Sequence, residues 1–450
     1  MTATDTIAAI ATAAGNAALG IVRVSGPAVP HLLYSVIGAV PPPRVASYHT
    51  FRDHDGRHLD AGLVLYFPSP ASFTGEAAGE FHCHGNDIVL QQLLQALCHF
   101  GARPARPGEF SERAFRNGKI DLAQAEAIAD LIASRSARAA RSALRTLRGE
   151  FSKHIDCLIA DLTTTRVAFE GAIDFPDDIP GDILGATQHA RINTLRNAIA
   201  ELTRNARQGA RLHAGASAAI IGAPNVGKST LLNRLARAEK AIVSPVPGTT
   251  RDLIEVDTLL HDLPIRLFDT AGLRTSSEAI EQEGIRRAKQ AMSTADVILL
   301  MTDVPTLLPP HELLAALGEH TPPATPIITV HNKIDSYSHL PMVVGVPAAP
   351  HVFISARDGT GTELLSSTLA GMLGLDAADE NEFIARARHL AALSLAHLEL
   401  EPIDLALAIA APELAAEALR RAGLALATIT GSATSEELLG EIFARFCIGK

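Results

Sequence analysis

Residues 222–229 have the residue types and spacing of a phosphate-binding loop. They read G-x-x-x-x-G-K-S, and they lie between the apolar run 218–221 and a helix-like run that starts at Thr230. Glycines let the backbone curl so that its N–H groups point at phosphate oxygens, and the helix N-terminus adds positive potential. We predict that Lys228 reaches the β- and γ-phosphates and that the Ser229 hydroxyl binds Mg²⁺. The predicted nucleotide contacts here are Asn225, Val226, Gly227, Lys228, Ser229 and Thr230.

Two later motifs indicate that the base is guanine. An N-K-x-D sequence at residues 332–335 directly follows the apolar run 327–330. The Asp335 carboxylate can accept hydrogen bonds from N1 and the exocyclic N2 of guanine, whereas adenine has no donor at the matching positions. A second apolar run, 351–354, precedes a loop that is predicted to lie behind the base. The residues predicted to hold the base are Asn332, Lys333, Asp335, Ser355, Ala356 and Arg357.

Two further segments have the sequences of nucleotide-sensing switches. D-T-A-G at residues 269–272 follows an apolar run, and G-T-T-R-D occupies residues 248–252. We expect Asp269 to hold Mg²⁺ through water and Thr250 to complete the Mg²⁺ shell beside Ser229. Both segments would lose their contacts when the γ-phosphate leaves, so they are the predicted moving parts. The predicted nucleotide contacts in these segments are Thr249, Thr250, Asp269, Thr270, Ala271 and Gly272, with Ser244 just before the first of them.

The residue after D-x-x-G departs from the Ras-like pattern. Ras-like GTPases place a glutamine there to orient the attacking water, and this chain has Leu273. One alternative source of activation is a monovalent cation, held against the phosphates by Asn225 and residues 244–249. The other is Glu281 as the base or water-orienting group, although the favoured interpretation of Glu281 taken alone is a solvated helix carboxylate.

The local composition and the spacing of apolar residues predict the secondary structure that positions these residues. Residues 1–117 alternate β-like runs with turns, which is typical of an α+β domain. Residues 118–213 and 378–450 are rich in Ala, Leu and Glu at helical spacing. Residues 214–377 alternate strands with helices, as in a doubly wound, mostly parallel sheet. We therefore predict an α/β P-loop GTPase domain inserted in an α-helical domain, whose two segments pack together across the insertion.

Bulk composition narrows the class of protein. The chain has 450 residues, a net charge of -10 and 47% hydrophobic residues, enough for cores in several domains. No apolar run approaches the length of a membrane span, and residues 1–5 lack the features of a secretory signal. The four cysteines, at 83, 98, 157 and 447, have no paired spacing, which argues against a disulfide framework. These features predict a cytoplasmic protein without a membrane span.

Basic residues are concentrated in one stretch of this acidic chain. The helical part of that stretch places its arginines on one face. The simpler interpretation is a solvated helix face, and the alternative is a docking surface for a polyanion such as RNA. The stretch comprises Arg103, Arg106, Arg113, Arg116, Lys119, Arg135, Arg138, Arg141, Arg145 and Arg148.

Five segments outside the nucleotide motifs have distinctive sequences: residues 20–26 (GIVRVSG), 106–110 (RPGEF), 117–126 (NGKIDLAQAE), 173–176 (IDFP) and 446–450 (FCIGK). With these segments, the chain resembles the MnmE (also called TrmE) family of tRNA-modifying GTPases over essentially its whole length. The most specific mark is the terminal F-C-I-G-K sequence, because a cysteine so near the end has no evident packing role. Taken alone, Cys447 could still be a small buried hydrophobe.

For the GTPase domain, the resemblance implies hydrolysis activated by potassium when two such domains dimerise across their switches. The water-orienting carboxylate of the family maps onto Glu281, which accounts for the missing glutamine. The Mg²⁺ ligands map onto Ser229 and Thr250. The potassium ligands map onto Asn225, Ser244, Val246 and Thr249.

For the rest of the chain, the resemblance implies a homodimer with a one-carbon donor at its interface. The N-terminal domain is then a tetrahydrofolate-binding fold that holds 5-formyl- or methylene-tetrahydrofolate, and the helical domain is in two parts. The family works with an FAD-dependent subunit (MnmG-like) in a heterotetramer. It adds a carboxymethylaminomethyl or aminomethyl group at C5 of the wobble uridine, position 34, of tRNA. Cys447 would lie near the one-carbon unit, where a catalytic role is a hypothesis. The folate contacts map onto Arg23, Glu80, Lys119 and Lys450.

Two other functional classes fit parts of the sequence. A regulatory GTPase of ribosome assembly would share the G-T-T-R-D switch at residues 248–252, but such proteins usually carry an RNA-binding module. A passive one-carbon-donor binding protein would need a vestigial GTPase domain, whereas the phosphate, magnesium and guanine motifs are intact.

One strand-like segment allows a choice of site. Glu80, His82 and His84 alternate along it and share a face, with Cys83 on the other. The favoured interpretation is a wall of the folate pocket or a half-buried polar strand. Three such groups could alternatively bind zinc.

Overall fold

The computed structural model describes residues 5–175, 181–238, 254–260, 263–269, 295–303, 310–316, 325–337, 339–373 and 383–449. The chain forms two compact units. The first comprises Met1–Ile132, Leu144–Ala200 and Ala391–Lys450, and the second comprises Ala133–Ala143 and Glu201–Leu390.

The N-terminal part of the first unit is a six-stranded sheet covered by helices. Its strand order is β3-β4-β5-β2-β1-β6, antiparallel except for the β1–β6 pair. Alternate residues such as Val22, Val64 and Phe81 are buried and form a core with two helices, so one sheet face is apolar. This confirms the predicted α+β domain. Its elements are β1 Thr6–Ile10, β2 Ala17–Ser25, α1 Val29–Ile37, β3 Ser47–Arg52, β4 His58–Phe67, β5 Ala78–Gly85, α2 Asp87–His99, β6 Ala102–Pro104 and α3 Glu109–Arg116.

Four helices follow in the described residues, and the buried stripe of one of them shows why this region is helical. They are α4 Leu122–Ala133, α5 Ala137–Leu147, α6 Glu150–Asp174 and α7 Gly181–Ala214. The buried residues of α6 recur at intervals of three and four, which produces one apolar stripe along the helix. That stripe comprises Phe151, Ile155, Leu158, Leu162, Thr165 and Phe169.

Within its described residues, the second unit contains a seven-stranded sheet with the order β12-β13-β11-β10-β7-β9-β8. The described central strands are parallel, and antiparallel pairing is confined to the two edge strands. Apolar clusters lie on both faces, which confirms the doubly wound, mostly parallel sheet. The elements are β7 Ala216–Gly222, α8 Lys228–Ala238, β8 Ile254–Leu260, β9 Leu263–Asp269, β10 Val297–Thr302, α9 Pro310–Ala316, β11 Ile327–His331, α10 Ile334–Tyr337, β12 Val343–Val346, β13 Ala349–Phe353 and α11 Thr362–Met372.

The C-terminal helices return to the first unit and pack on the earlier ones. They are α12 Ala387–Leu400, α13 Leu405–Ala410, α14 Pro412–Thr430 and α15 Glu436–Ala444. Helix α14 packs against α6, where its buried alanines allow a close approach. Arg196 of α7 donates to the carbonyl oxygens of Leu400 and Ile403, the latter at 2.6 Å. The two helical segments therefore pack together across the inserted α/β domain, as predicted. No described helix is long and apolar enough to cross a membrane.

Candidate functional site

The phosphate-binding loop joins the end of β7 to the start of α8. Asn225 and Gly227 have positive φ values of 62° and 104°, which turn the loop back towards the helix N-terminus. Lys228 is the first helical residue and is buried. Its Nζ donates to the carbonyl oxygens of Gly222 at 2.7 Å and Ala223 at 2.9 Å. The lysine ammonium is thus held inside the curl of the loop, while Asn225 is exposed.

Asn332 connects the phosphate-binding loop to the predicted guanine site. Its Nδ2 donates to the Val226 carbonyl at 2.8 Å, and its Oδ1 accepts from the Ala356 N–H at 2.9 Å. A Cβ atom on Gly227 would lie 2.3 Å from that Nδ2, so the close approach requires glycine. Because Asn332 is only 5% exposed, its amide bonds are shielded from water. Three motifs that are distant in sequence therefore meet at one side chain.

The remaining base-site residues lie around this junction. Lys333 has a φ of 65°, and its Nζ pairs with the Asp303 carboxylate at 3.0 Å. Asp335 is exposed at the start of α10, where its carboxylate is free to face a ligand. Ser355 and Ala356 are buried, and Arg357 is exposed. This arrangement leaves an acceptor and a loop on the same edge of the sheet, as recognition of guanine requires.

The sequence interpretation missed a buried histidine pair beside the N-K-x-D motif. His331 Nε2 lies 3.0 Å from His351 Nδ1, and the His331 ring stacks on Phe353 at 4.3 Å between centroids. Burial lowers the pKa of His351, so at least one ring of the pair is neutral at pH 7. The sequence feature that could have indicated this pair is a single histidine in each of two apolar runs that form neighbouring strands. The pair fixes the strand end from which Asn332 projects.

Of the predicted switch residues, the structure describes the backbone of Asp269. Asp269 is the last residue of β9, and its backbone pairs with Ile220 of β7, so that strand end lies beside the phosphate-binding loop. The predicted residues outside the described part of the chain are Ser244, Val246, Thr249, Thr250, Thr270, Ala271, Gly272, Glu281 and Lys450.

In the N-terminal domain, two of the predicted folate contacts form an ion pair. Arg23 of β2 donates to Glu80 Oε1 of β5 through Nε at 3.1 Å and Nη2 at 2.8 Å. The other oxygen, Oε2, lies 3.2 Å from His82 Nε2. Lys119 instead reaches the loop before β5, where its Nζ donates to the Pro70 carbonyl at 3.2 Å. The structure thus brings Arg23, Glu80 and His82 together and places Lys119 on a neighbouring loop.

A cavity of about 320 Å³ opens beside this ion pair. Its exposed surface is almost entirely apolar, although Arg23 and Ser111 are among the lining residues. The buried Ser111 Oγ has no hydrogen-bond partner within the described residues. An apolar pocket of this kind is suited to an apolar or aromatic part of a ligand. The lining residues are Arg23, Phe73, Ser111, Ile128, Ile132 and Leu147.

The zinc interpretation of the β5 histidines is wrong. His84 is exposed and pairs with Asp60 of β4 through Nδ1 at 2.9 Å, away from the Glu80–His82 contact. No set of three His, Cys, Asp or Glu side chains in the described part of the chain could hold a metal ion. Cys83 points into the core as expected, and burial raises its pKa to about 11. Glu80 and His82 on the polar face of β5 are half-buried, which agrees with the favoured interpretation of a folate-pocket wall or a half-buried polar strand.

Cys447 is exposed, so its interpretation as a small buried hydrophobe is wrong. The tail that carries it lies against the start of α3. The Gly108 N–H donates to the Cys447 carbonyl at 3.3 Å. A Cβ atom on Gly108, whose φ is 67°, would lie 2.5 Å from the Phe443 carbonyl oxygen. The R-P-G-E-F and F-C-I-G-K sequences are thus in direct contact.

Several arginines of the basic stretch form ion pairs with acidic residues of the first unit. Arg113 is buried and pairs with Glu76 at 3.0 Å and with Glu109 at 3.1 Å. Arg103 pairs with the same Glu109 and with Asp5. Although burial opposes its ionisation, hydrogen bonds from Arg103, Arg106 and Arg113 hold the pKa of Glu109 at about 2. On α5 and just beyond it, Arg141 and Arg148 are exposed, so both interpretations of that helix face remain open.

Comparisons with known proteins cover the whole chain. The protein-family model described as GTP-binding protein TrmE N-terminus matches residues 6–119. The family model described as MnmE helical domain matches residues 122–447. The tRNA modification GTPase MnmE of Thiobacillus denitrificans is 46% identical over 449 residues, which are 99% of this chain and 98% of that protein. The protein of the same name from Marinobacter nauticus is 45% identical over 454 residues, covering 100% and 99%. That from Proteus mirabilis is 44% identical over 455 residues, covering 100% of both chains.

Proposed function

Because the chain belongs to the tRNA modification GTPase MnmE family, we propose a specific reaction for it. The chain hydrolyses GTP with Mg²⁺, activated by potassium when two GTPase domains dimerise. With an FAD-dependent partner subunit in a heterotetramer, it adds a carboxymethylaminomethyl or aminomethyl group at C5 of uridine 34 of tRNA. The one-carbon unit comes from 5-formyl- or methylene-tetrahydrofolate. We place this reaction in the cytoplasm.

The observation that carries the nucleotide part of the proposal is the junction at Asn332. It holds the phosphate-binding loop through Val226 and the loop behind the base through Ala356, so one ligand can span both. Asn225 supports the potassium site, because it is an exposed residue with a positive φ at the turn of the phosphate-binding loop. A cation held there would offset phosphate charge in place of an arginine finger. Glu281 would orient the attacking water.

The Arg23–Glu80 pair supports the folate part of the proposal. Arg23 lines the cavity of about 320 Å³, whose other walls are mainly apolar. A carboxylate held between Arg23 and His82 can accept hydrogen bonds from the N–H edge of a pterin. The cationic side chains of Lys119 and Lys450 would serve the glutamate tail. The exposed Cys447 is then the candidate catalytic thiol beside the one-carbon unit.

The open face of the N-terminal sheet supports a homodimer. Across the strands, Tyr48 pairs with Leu63, Leu63 with His82, and His82 with Ile21. Residues in register share a face, and Tyr48 and Leu63 remain 71% and 43% exposed. The Arg23–Glu80 pair lies two residues further along the same face. A second copy that covered this row would therefore also border the proposed folate site.

The first experiment measures GTP hydrolysis in matched potassium and sodium buffers. We expect strong stimulation by potassium in the wild type and none in Asn225→Ala. Asn233→Ala is the matched control, because Asn233 is an exposed asparagine on the adjoining helix. Equal rates in both salts for the wild type would refute potassium activation.

The second experiment measures binding of 5-formyl-tetrahydrofolate to the full chain by calorimetry. Arg23→Ala and Glu80→Gln should each weaken binding, since each leaves its partner with an unmatched charge. Arg57→Ala is the control, because Arg57 is 77% exposed at the β3–β4 turn. Unchanged affinity in both site variants would show that the ligand binds elsewhere.

A further inference from the structure

An arginine outside the nucleotide motifs connects two of them. Arg234 lies on α8, the helix that begins at the phosphate-binding loop. Its Nε donates to the Ala356 carbonyl at 3.3 Å, and its Nη2 donates to the Arg357 carbonyl. Both acceptors belong to residues 355–357, the loop proposed to lie behind the base. One guanidinium thus holds two successive carbonyl groups, which its planar, forked donors are suited to do.

The loop keeps its shape through its own hydrogen bonds. The Ser355 N–H donates to the Thr360 carbonyl at 2.8 Å, and the Gly359 N–H donates to the Ser355 carbonyl at 2.8 Å. The Arg234 guanidinium packs against this turn, since a Cβ atom on Gly359 would lie 3.4 Å from Arg234 Cζ. Arg234 is therefore not required to form the turn. Its two bonds instead fix where the turn lies relative to α8.

Asn332 fixes the inner side of the same loop through the Ala356 N–H. Arg234 holds the Ala356 carbonyl, on the opposite side of the same residue. The two successive peptide units that meet at the Ala356 Cα are therefore each held by one of these bonds, so the loop cannot tilt away from the base without losing at least one of them. The loop is thereby positioned by the phosphate-loop helix as well as by the N-K-x-D motif.

We propose that Arg234 is a positioning residue for guanine-nucleotide affinity, which clamps the loop 355–357 to the phosphate-loop helix. The inference rests on the proposed guanine site. Without the guanidinium, both carbonyls can turn to water, and the loop gains freedom that nucleotide binding must remove again. Affinity should fall while the chemical step, at the other end of the nucleotide, is unaffected.

The test compares Arg234→Met, Arg234→Lys and the control Asn233→Ala in the full chain. We expect Arg234→Met to raise the Kd for GDP about tenfold, the order expected for lost bonds from a charged donor. Its kcat at saturating GTP should stay within about twofold of wild type, and its unfolding temperature should match that of the control. Arg234→Lys should recover part of the affinity, because an ammonium can serve one carbonyl at a time.

Two results would overturn the proposal. One is a GDP affinity of Arg234→Met equal to that of Asn233→Ala. The other is a parallel fall in affinity, kcat and unfolding temperature, which would mean general destabilisation. Asp335→Asn tests the guanine site separately, because it removes a predicted base contact and leaves Arg234 in place. If Asp335→Asn binds GDP like wild type, the guanine site is wrong, whatever Arg234→Met shows.

Discussion

Replacing Glu109 by glutamine should destabilise the N-terminal domain more than any surface substitution. The Glu109 side chain is 3% exposed and accepts hydrogen bonds from Arg103 Nη1 at 2.9 Å, the Arg106 N–H at 2.9 Å and Arg113 Nη2 at 3.1 Å. Glutamine keeps the volume but removes the charge. Arg113, which is 5% exposed, would then lose one of its buried counter-charges.

Two routes give the same magnitude for this effect. The pKa of Glu109 is held at about 2 against an ordinary value of 4.5. At 1.36 kcal/mol for each tenfold change in the ionisation equilibrium, this gap corresponds to roughly 3 kcal/mol at pH 7. Removing one partner of a buried ion pair typically costs about 3–5 kcal/mol. We therefore expect the Glu109→Gln substitution to lower the free energy of unfolding by about 3 kcal/mol at pH 7.

The sign of the pH dependence follows from the lowered pKa. A carboxylate with a depressed folded-state pKa stabilises the protein fully above pH 4.5, and this contribution is lost as the pH falls towards 2. The difference between wild type and Glu109→Gln should consequently shrink as the pH is lowered from 7 to 3. Asp55→Asn is the control, because its surface ion pair with Arg57 should contribute about 0–1 kcal/mol.

Urea unfolding followed by tyrosine fluorescence measures this difference selectively. The chain has no tryptophan and four tyrosines, of which Tyr34, Tyr48 and Tyr66 lie in the N-terminal domain. A loss below about 1 kcal/mol at pH 7, or one that persists unchanged at pH 3, would refute the reasoning from the buried charge network.

Two further predictions concern other parts of the molecule. Gly227→Ala should weaken GDP binding by at least about thirtyfold, since its Cβ would lie 2.3 Å from Asn332 Nδ2 and its φ is 104°. The control Gly423→Ala, in open space on α14, should instead raise stability by about 0.5–1 kcal/mol, and equal GDP affinities would contradict the prediction. Iodoacetamide at pH 8 should label the exposed Cys157 and spare Cys83, whose pKa burial raises to about 11. Mass spectrometry of the folded chain checks this, and labelling of both at one rate would show that the core around β5 opens readily.

Local patterns in the sequence were sufficient for the fold and for the order of the nucleotide motifs. The apolar runs 218–221, 265–268 and 327–330 all became strands, because each is long enough to be buried in a parallel sheet and is followed by turn residues. The carboxyl ends of parallel strands meet at one edge, so motifs placed directly after them had to converge. The helical segments were equally readable, since the α6 stripe recurs at intervals of three and four.

What the sequence could not provide is the identity of side-chain partners across long separations. The arginines of residues 103–116 have the composition of an anion-binding surface, yet Arg113 is buried against Glu76 and Glu109. For the same reason, the sequence did not indicate a role for Arg234. Nothing distinguishes it from other polar residues of a helix until residues 355–357 pack against α8. A charged residue can be assigned to solvent, to a ligand or to a buried partner only after the chain has fixed its neighbours. For that reason, substitutions of Glu109 and Arg234 test the structure, whereas substitutions in the phosphate-binding loop test mainly the sequence motif.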